Sequence, residues 1–165
     1  MKNIKAFGTK AANAPLNALN INRREPRPSD VEMEILYCGV CHSDLHTARN
    51  DWGGTAYPVV PGHEIIGRVI QVGSAVSRFK VGDTVGVGCM VDSCQHCTSC
   101  EKGDEQYCQH GATFTYNGID PHDKMPTYGG YSEKIVVSEK FVLKIPVGLD
   151  LKGAAPLLCA GITTW

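Results

Sequence analysis

Four cysteines lie close together in the middle of the sequence, within the segment VDSCQHCTSCEKGDEQYCQHG (91–111). Their spacing is C-x-x-C-x-x-C followed after seven residues by a fourth, and they are Cys94, Cys97, Cys100 and Cys108. A structural zinc ion takes four thiolates in a tetrahedron, and C-x-x-C turns direct two sulfurs at one point. A bacterial iron–sulfur run starts in the same way but continues x-x-x-C-P, which this sequence does not. The spacing therefore favours zinc, with iron–sulfur, redox thiols and disulfides as alternatives.

The charge of this segment argues against nucleic-acid binding. Residues 91–111 hold four acids against one base, a net charge of −3 before the thiolates are counted: Asp92, Glu101, Asp104, Glu105 and Lys102. Nucleic-acid-binding modules carry basic surfaces instead. Four sulfurs also close the coordination sphere and leave no position for a substrate. We expect a structural zinc lobe at about 88–112, with the chemistry elsewhere.

Length and composition indicate one domain in a reducing compartment. A chain of 165 residues can bury a sizeable core without disulfides. The net charge of −1 gives no pull toward nucleic acid or an anionic membrane. The first residues lack the apolar core of a secretory signal, and no apolar run approaches a bilayer span of about 20 residues. Eight cysteines without such a signal favour the cytoplasm.

The rest of the pattern predicts a mainly β, barrel-like fold with short helices. The segment VEMEILYC (31–38) alternates apolar residues with Glu32 and Glu34, the period of a half-buried strand. IIGRVIQVG and VGDTVGVG are further β-branched runs, and YSEKIVVSEKFVLKIP predicts a hairpin or two short strands. Helices are expected over 42–50 and from about Asp150.

Several further residues could do chemistry, but each is weak when taken alone. Cys38 and Cys41 form a C-x-x-C, yet no βαβ pattern surrounds them, so Cys38 is interpreted as a small buried residue. His63, between two strands, would more often be packed than a ligand. Cys159 stands in an apolar run. Spacing alone does not bring Cys41, His63 and Cys159 together.

The order of motifs resembles a known enzyme family over essentially the whole chain. CGVCHSDLH, YPVVPGHEIIGRVIQVG, VGDTVGVG, the four-cysteine lobe, GGYSEKIVV and APLLCAGITTW follow one another as in zinc-containing medium-chain alcohol dehydrogenases. The resemblance is to the cinnamyl-alcohol-dehydrogenase branch and its bacterial aldehyde-reductase relatives. It implies a GroES-like β-barrel catalytic domain over 1–165 and two zinc ions.

The resemblance also assigns ligands to a catalytic zinc. It places this ion on Cys41, His63 and Cys159, a Cys₂His set that the alcohol dehydrogenases exemplify. Glu64 resembles the family's outer or exchangeable ligand. Asp44 resembles the carboxylate that orients the histidine. The four clustered cysteines match the family's structural zinc.

The same resemblance implies residues for proton transfer and cofactor contact. Ser43 would begin a proton relay from the reacting alcohol, and His46 would continue it toward solvent, although Ser43 could instead cap a helix. His42 is expected near a cofactor phosphate and Thr163 against the nicotinamide. Trp52 and Tyr57 are candidates for the substrate pocket or for ordinary surface or core aromatics.

One element of the family is absent from these residues. No G-x-G-x-x-G turn is present, since GVG (86–88) runs into Cys89 within a strand, and the Rossmann dinucleotide domain is therefore missing. The apolar ending at Trp165 leads us to expect a truncated chain or domain. The branch implies NADP, with NAD as the alternative, small aldehyde and alcohol substrates, and a homo-oligomeric full-length enzyme. We expect the isolated chain to bind zinc with little or no activity; the rival hypothesis is a zinc-stabilised binding module without catalysis.

Overall fold

Short β-branched runs form most of the regular structure, which a computed structural model describes over all 165 residues. The strands are β1 (Lys2–Gly8), β2 (Asn17–Arg23), β3 (Asp30–Cys38), β4 (Ile65–Val72), β5 (Thr84–Val87), β6 (Met90–Asp92), β7 (Thr113–Phe114), β8 (Lys134–Ser138) and β9 (Leu143–Lys144). The helices are α1 (His42–Arg49), α2 (Thr98–Glu101), α3 (Leu151–Ala154) and α4 (Ala160–Thr164), and 3₁₀ turns cover Glu105–Tyr107, Glu139–Phe141 and Ala155–Leu158. None of the helices has the length and apolarity that crossing a membrane requires.

An antiparallel five-stranded sheet organises the molecule. Its order is β8-β3-β4-β5-β9, while β1 pairs with β2 and β6 pairs with β7 in two separate ribbons. Bridges Ala6–Ser132 and Thr9–Val59 attach the first ribbon to the loops beside the sheet. The segment predicted as a hairpin or two strands forms two strands, because β8 pairs with β3 and β9 pairs with β5 at opposite edges. The expected mainly β fold with short helices is confirmed.

The core lies against the long strands β3 and β4. Ten buried apolar side chains form it: Val31, Met33, Ile65, Val69, Phe79, Val85, Val87, Ile135, Val137 and Val142. Burying side chains of this size contributes roughly 1.5–3 kcal/mol each. Cys38 packs at the edge of this cluster, and burial raises the pKa of its thiol to about 12. Its position agrees with the interpretation of Cys38 as a packing residue.

The predicted alternation of β3 holds over residues 33–36 and is wrong at two positions. Glu32 is buried, and Lys2 Nζ lies 2.6 Å from its carboxylate. Tyr37 is exposed rather than buried. The register with β4 shifts between Glu32 and Met33 and again between Ile35 and Tyr37. Such bulges rotate the following side chains and re-aim the strand end, which here leads toward Cys41.

The predicted C-terminal helix is broken into three pieces. Asp150 caps α3 by accepting hydrogen bonds from the N–H groups of Lys152 and Gly153. Pro156 lies in the following 3₁₀ turn and has no N–H to continue an α-helix. Cys159 then adopts φ −137° and ψ −72°, outside the helical region, before α4 begins. The break places Cys159 at a corner between two short helices.

A buried guanidinium fixes the segment that leads into β8. Arg23 donates hydrogen bonds to the carbonyl oxygens of Tyr128, Gly129 and Lys134 and to Ser132 Oγ. Burial lowers the pKa of Arg23 to about 9. Because these bonds hold residues 128–134 in one conformation, they also position Tyr131, which faces the candidate site.

We expect the sheet core to carry much of the stability. Val137→Ala, at a side chain with no exposed surface, should lower the free energy of unfolding by about 2 kcal/mol. Val147→Ala is the matched control, since this valine is fully exposed and should change stability by less than about 0.5 kcal/mol. Urea unfolding of the zinc-saturated proteins measures both. Equal decreases in the free energy of unfolding for the two variants would contradict the assignment of Val137 to the core.

Candidate functional site

Cys41, His63 and Cys159 meet in space although they are distant in sequence. Their donor atoms all lie within 4.8 Å of one another, and Cys41 Sγ is 3.8 Å from Cys159 Sγ. A disulfide requires about 2.05 Å, and both thiols are free. Two sulfurs bound at about 2.3 Å to one tetrahedral zinc ion lie about 3.8 Å apart. The separation therefore fits two ligands of a shared ion.

Each of the three residues stands where a regular element starts or breaks. Cys41 immediately precedes α1 in an extended conformation, His63 lies in the loop two residues before β4, and Cys159 occupies the corner before α4. Gly62 must be glycine, because its φ is +100° and an added Cβ would lie 2.8 Å from Cys38 Sγ. Backbone geometry, rather than sequence proximity, brings the three side chains together.

The carboxylate of Asp44 connects these segments. One oxygen, Oδ1, accepts from Gly62 N–H at 2.9 Å and lies 3.1 Å from His63 Nδ1. The other, Oδ2, accepts from Cys41 N–H at 2.9 Å and from Tyr131 Oη–H at 3.2 Å. Only 2% of Asp44 is exposed. All the contacts that a buried carboxylate needs are thus supplied from within the protein.

The charge of this carboxylate favours one tautomer of His63. Burial alone would raise the pKa of Asp44, but the bonds from His63 and from the N–H groups of Cys41 and Gly62 outweigh it and hold that pKa below its ordinary value. An ionised Asp44 keeps the proton on His63 Nδ1, so Nε2 carries the free lone pair. Metal-binding histidines are usually held in this way by a carboxylate.

Glu64 is buried next to the three residues but does not join their donor atoms. Its Oε1 accepts from Ala160 N–H at 3.2 Å, which holds the chain just after Cys159. An added Cβ on Gly39 would lie 2.0 Å from its other carboxylate oxygen. In this conformation Glu64 supports the Cys159 corner from outside the group, and its role as an exchangeable ligand stays a prediction.

The four clustered cysteines also converge on one point. The sulfur donors of Cys94, Cys97, Cys100 and Cys108 lie within 4.8 Å of one another. Cys94 Sγ is 3.9 Å and Cys97 Sγ is 3.5 Å from Cys100 Sγ, close to the spacing of thiolates around one zinc ion. These four positions are all free thiols. The geometry fits the predicted structural zinc and excludes a disulfide in this conformation.

Backbone amides of the lobe point at its sulfurs. Cys94 N–H donates to Cys108 Sγ, Cys97 N–H to Cys94 Sγ, and Gln109 N–H to Cys97 Sγ. Hydrogen bonds from the backbone N–H of Gln109, which has the largest effect, and from that of Cys100 lower the pKa of the Cys97 thiol to about 6. Hydrogen bonds of this kind favour the thiolate, the form of cysteine that binds a metal.

A cleft of about 390 Å³ opens beside His63 and Cys159. This volume suits a small organic molecule. The lining combines hydroxyl, thiol and aromatic side chains: Ser43, Thr47, Trp52, His63, Cys89, Phe114, Thr115, Tyr116, Asn117 and Cys159. A larger groove of about 900 Å³ lies along the first ribbon and contains none of the candidate ligands. The smaller cleft is therefore the candidate substrate site.

The predicted relay and cofactor residues are only partly assembled. Ser43 lines the cleft, with its Oγ 3.7 Å from Cys41 Sγ. His46 lies on the outer face of α1, where Nδ1 is 2.9 Å from an Asp51 carboxylate oxygen and the ring is 4.9 Å from Trp52. His42 and Thr163 are exposed and lie outside the cleft. Their proposed roles stay predictions.

The sequence is similar to known proteins along essentially its whole length. Residues 27–147 match the family of the alcohol dehydrogenase GroES-like domain. The chain belongs to this family. It is 57% identical over 163 residues to aldehyde reductase YahK of Escherichia coli, covering 98% of this chain and 46% of that protein. NADP-dependent alcohol dehydrogenase C of Mycobacterium bovis is 55% identical over 165 residues, which are 100% of this chain and 47% of that protein.

Solved structures agree with the sequence relatives. A cinnamyl alcohol dehydrogenase from Sorghum bicolor matches with a TM-score of 0.96 and 47% identity, covering 99% of this chain and 46% of that one. The CAD from Helicobacter pylori, complexed with NADP(H), matches with a TM-score of 0.94 and 44% sequence identity. The match covers 98% of this chain and 47% of that one. The GroES-like fold and the predicted family branch are confirmed. The domain spans about half the length of the relatives that it matches.

Sequence reasoning missed several residues around the site of this GroES-like domain. Tyr131 binds Asp44, and Phe114 and Tyr116 line the cleft. Tyr116 is buried with its ring 5.5 Å from that of His63, and burial raises the pKa of its hydroxyl. The alternation in TFTYNG was the available signal for a short strand there. Of the two predicted aromatics, Trp52 lines the cleft, whereas Tyr57 donates its hydroxyl to Ala48 O.

We expect Asp44 to control metal affinity at the three-residue group. Asp44→Asn should weaken zinc binding there by about 10–100-fold. Both oxygens of Asp44 accept hydrogen bonds, whereas asparagine replaces one of them with an NH₂ group, which would face another donor, either His63 Nδ1–H or the backbone N–H of Cys41. Competition with a chelator measures the affinity. Asp123→Asn is the control, since this exposed carboxylate pairs with Arg27 and contacts neither cysteine group. Equal affinities in both variants would contradict the positioning role of Asp44.

Proposed function

We propose that the chain is the metal-holding catalytic domain of an NADP(H)-dependent alcohol dehydrogenase or aldehyde reductase that interconverts primary alcohols and aldehydes. The observation that carries the proposal is the Cys41–His63–Cys159 group beside a cleft of about 390 Å³. A purely structural site would be closed by a fourth protein ligand. The names of the aldehyde reductase and alcohol dehydrogenase relatives support the same class of reaction.

The donor set suits zinc and leaves one position for a small molecule. Two thiolates and one imidazole match the ligand preferences of Zn²⁺. When bound, zinc would supply Lewis acidity to a carbonyl or alcohol oxygen. His63 and Cys159 both line the cleft, so a substrate oxygen would approach from that side. The hydrogen bonds that Asp44 accepts from His63 Nδ1–H and from the Cys41 N–H keep the two segments in register while the substrate enters.

Ser43 is the side chain suited to handle the substrate proton. It lines the cleft, and a hydroxyl can accept one proton while it donates another. His46 with Asp51 would form the outlet, because this pair faces solvent and an imidazole can both accept and donate a proton. No direct hydrogen bond joins Ser43 to His46 in this conformation, so the relay would need a bridging water molecule.

The nicotinamide cofactor would be held largely outside these residues. All strand pairs here are antiparallel, whereas a dinucleotide fold needs a parallel sheet with a glycine-rich turn. His42 and Thr163 would contact NADP(H) from this domain. In this proposal it is the full-length enzyme that forms a homo-oligomer and converts the small aldehyde or alcohol substrate. The isolated chain should therefore reduce aldehydes with NADPH slowly or not at all.

The first test is metal content. The purified chain should hold two zinc ions, and Cys41→Ser and Cys100→Ser should each lose one, because each removes a donor from a different group. Elemental analysis after gel filtration measures the content. A single zinc ion, unaffected by Cys41→Ser, would instead favour the zinc-stabilised binding module without catalysis. An iron-containing, coloured sample would favour electron transfer.

The second test addresses the relay in the full-length protein. Ser43→Ala should lower kcat for aldehyde reduction by about 100-fold or more, the range of general acid–base effects, while zinc content stays at two. Ser74→Ala, at an exposed loop position, should leave both unchanged. Unaltered kcat in the Ser43 variant would remove this residue from the reaction.

A further inference from the structure

A second cluster of metal-binding side chains lies on the outer surface of the four-cysteine lobe. The donor atoms of Cys94, His96 and His110 all lie within 4.8 Å of one another. Both histidines are exposed, and their ring centroids are 5.5 Å apart. These two imidazoles belong neither to the proposed active site nor to the four-cysteine group.

Cys94 is the member shared by this cluster and the four-cysteine group. It is partly exposed, whereas the other three thiols are buried. An ion arriving from solvent would thus meet Cys94 before it could reach Cys97, Cys100 or Cys108. The two imidazoles stand next to the one accessible sulfur of the group.

A backbone contact fixes one ring nitrogen of His96. Its Nδ1 lies within hydrogen-bonding distance of the Cys94 carbonyl oxygen. That contact places the proton on Nδ1 and leaves the lone pair on Nε2, as the outer contacts of metal-bound histidines commonly do. The hydrogen bond also attaches the imidazole to the backbone of the residue that supplies the thiol.

The charge of the lobe would attract a cation to this surface. Exposed Glu101 and Asp104 accompany the acids Asp92 and Glu105, and Lys102 is the only Lys or Arg within 91–111. Such a local excess of negative charge raises the concentration of cations near the surface. Imidazole and thiolate together select borderline ions such as Zn²⁺ rather than Mg²⁺ or Ca²⁺.

We propose that Cys94, His96 and His110 form a capture site that takes up zinc from solvent and passes it to the four-cysteine group. Transfer is a ligand exchange without oxidation or reduction. Cys94 Sγ stays bound, the two imidazole nitrogens leave, and the sulfurs of Cys97, Cys100 and Cys108 take their places, any thiol protons passing to solvent. The proposal rests on the assignment of the four cysteines as a zinc site.

Cobalt loading provides the test, because thiolate–cobalt bonds absorb light. The chelator-stripped, reduced chain is mixed with Co²⁺ in a stopped-flow instrument, in a Cys41→Ser background that disables the other site. The His96→Gln/His110→Gln double variant should load about tenfold more slowly, by analogy with the effect of losing metal-supporting contacts, and should reach the same final absorbance. His122→Gln is the matched control, since His122 is exposed and contacts Asp92 rather than a sulfur.

Equal loading rates in the double variant and the control would overturn the capture site. If the double variant fails to load because its lobe does not form, the single variants His96→Gln and His110→Gln decide, and each should be slower than the His122 control. Absence of the thiolate–cobalt absorption in the parent protein would instead refute the four-cysteine zinc site itself, and the capture site with it.

Discussion

The hydrogen bonds of one buried carboxylate hold the site together. Asp44 accepts hydrogen bonds from the amides of Cys41 and Gly62, from the His63 imidazole and from the Tyr131 hydroxyl. A buried carboxylate is strongly unfavourable without such partners, so the three segments that supply them, at Cys41, at Gly62 and His63, and at Tyr131, must arrive together. The buried Arg23 extends this dependence, because it fixes the loop that carries Tyr131. The position of the ligands is thus determined by the fold as a whole.

The two cysteine groups have opposite requirements. The lobe encloses its sulfurs with its own amides and needs little from the rest of the protein, which suits a site that stabilises a loop. Cys41, His63 and Cys159 come from three separate segments and border a cleft, which suits a site where a small molecule must enter and leave. Irregular backbone serves the second group, since the bulged end of β3 and the corner at Cys159 both lead to it.

Local patterns in the sequence were sufficient for the lobe and for most elements. The C-x-x-C spacing predicted that Cys94 to Cys108 converge, apolar and β-branched patterns predicted β3 and β4, and a serine suited to a helix start, Ser43, indicated α1. The contact between Cys41 and Cys159, which are 118 positions apart, has no local signal and was expected only through the family resemblance. Tyr131 was missed for the same reason. Glu32 was predicted to face solvent because alternation contains no information about a bulge or about Lys2.

Anomalous diffraction at the zinc edge from crystals of the zinc-loaded chain tests the central claim most directly. The account predicts two peaks, one surrounded by Cys94, Cys97, Cys100 and Cys108 and one bound by Cys41, His63 Nε2 and Cys159, with Asp44 on His63 Nδ1. A single peak in the lobe, or a second ion bound without His63, would contradict it.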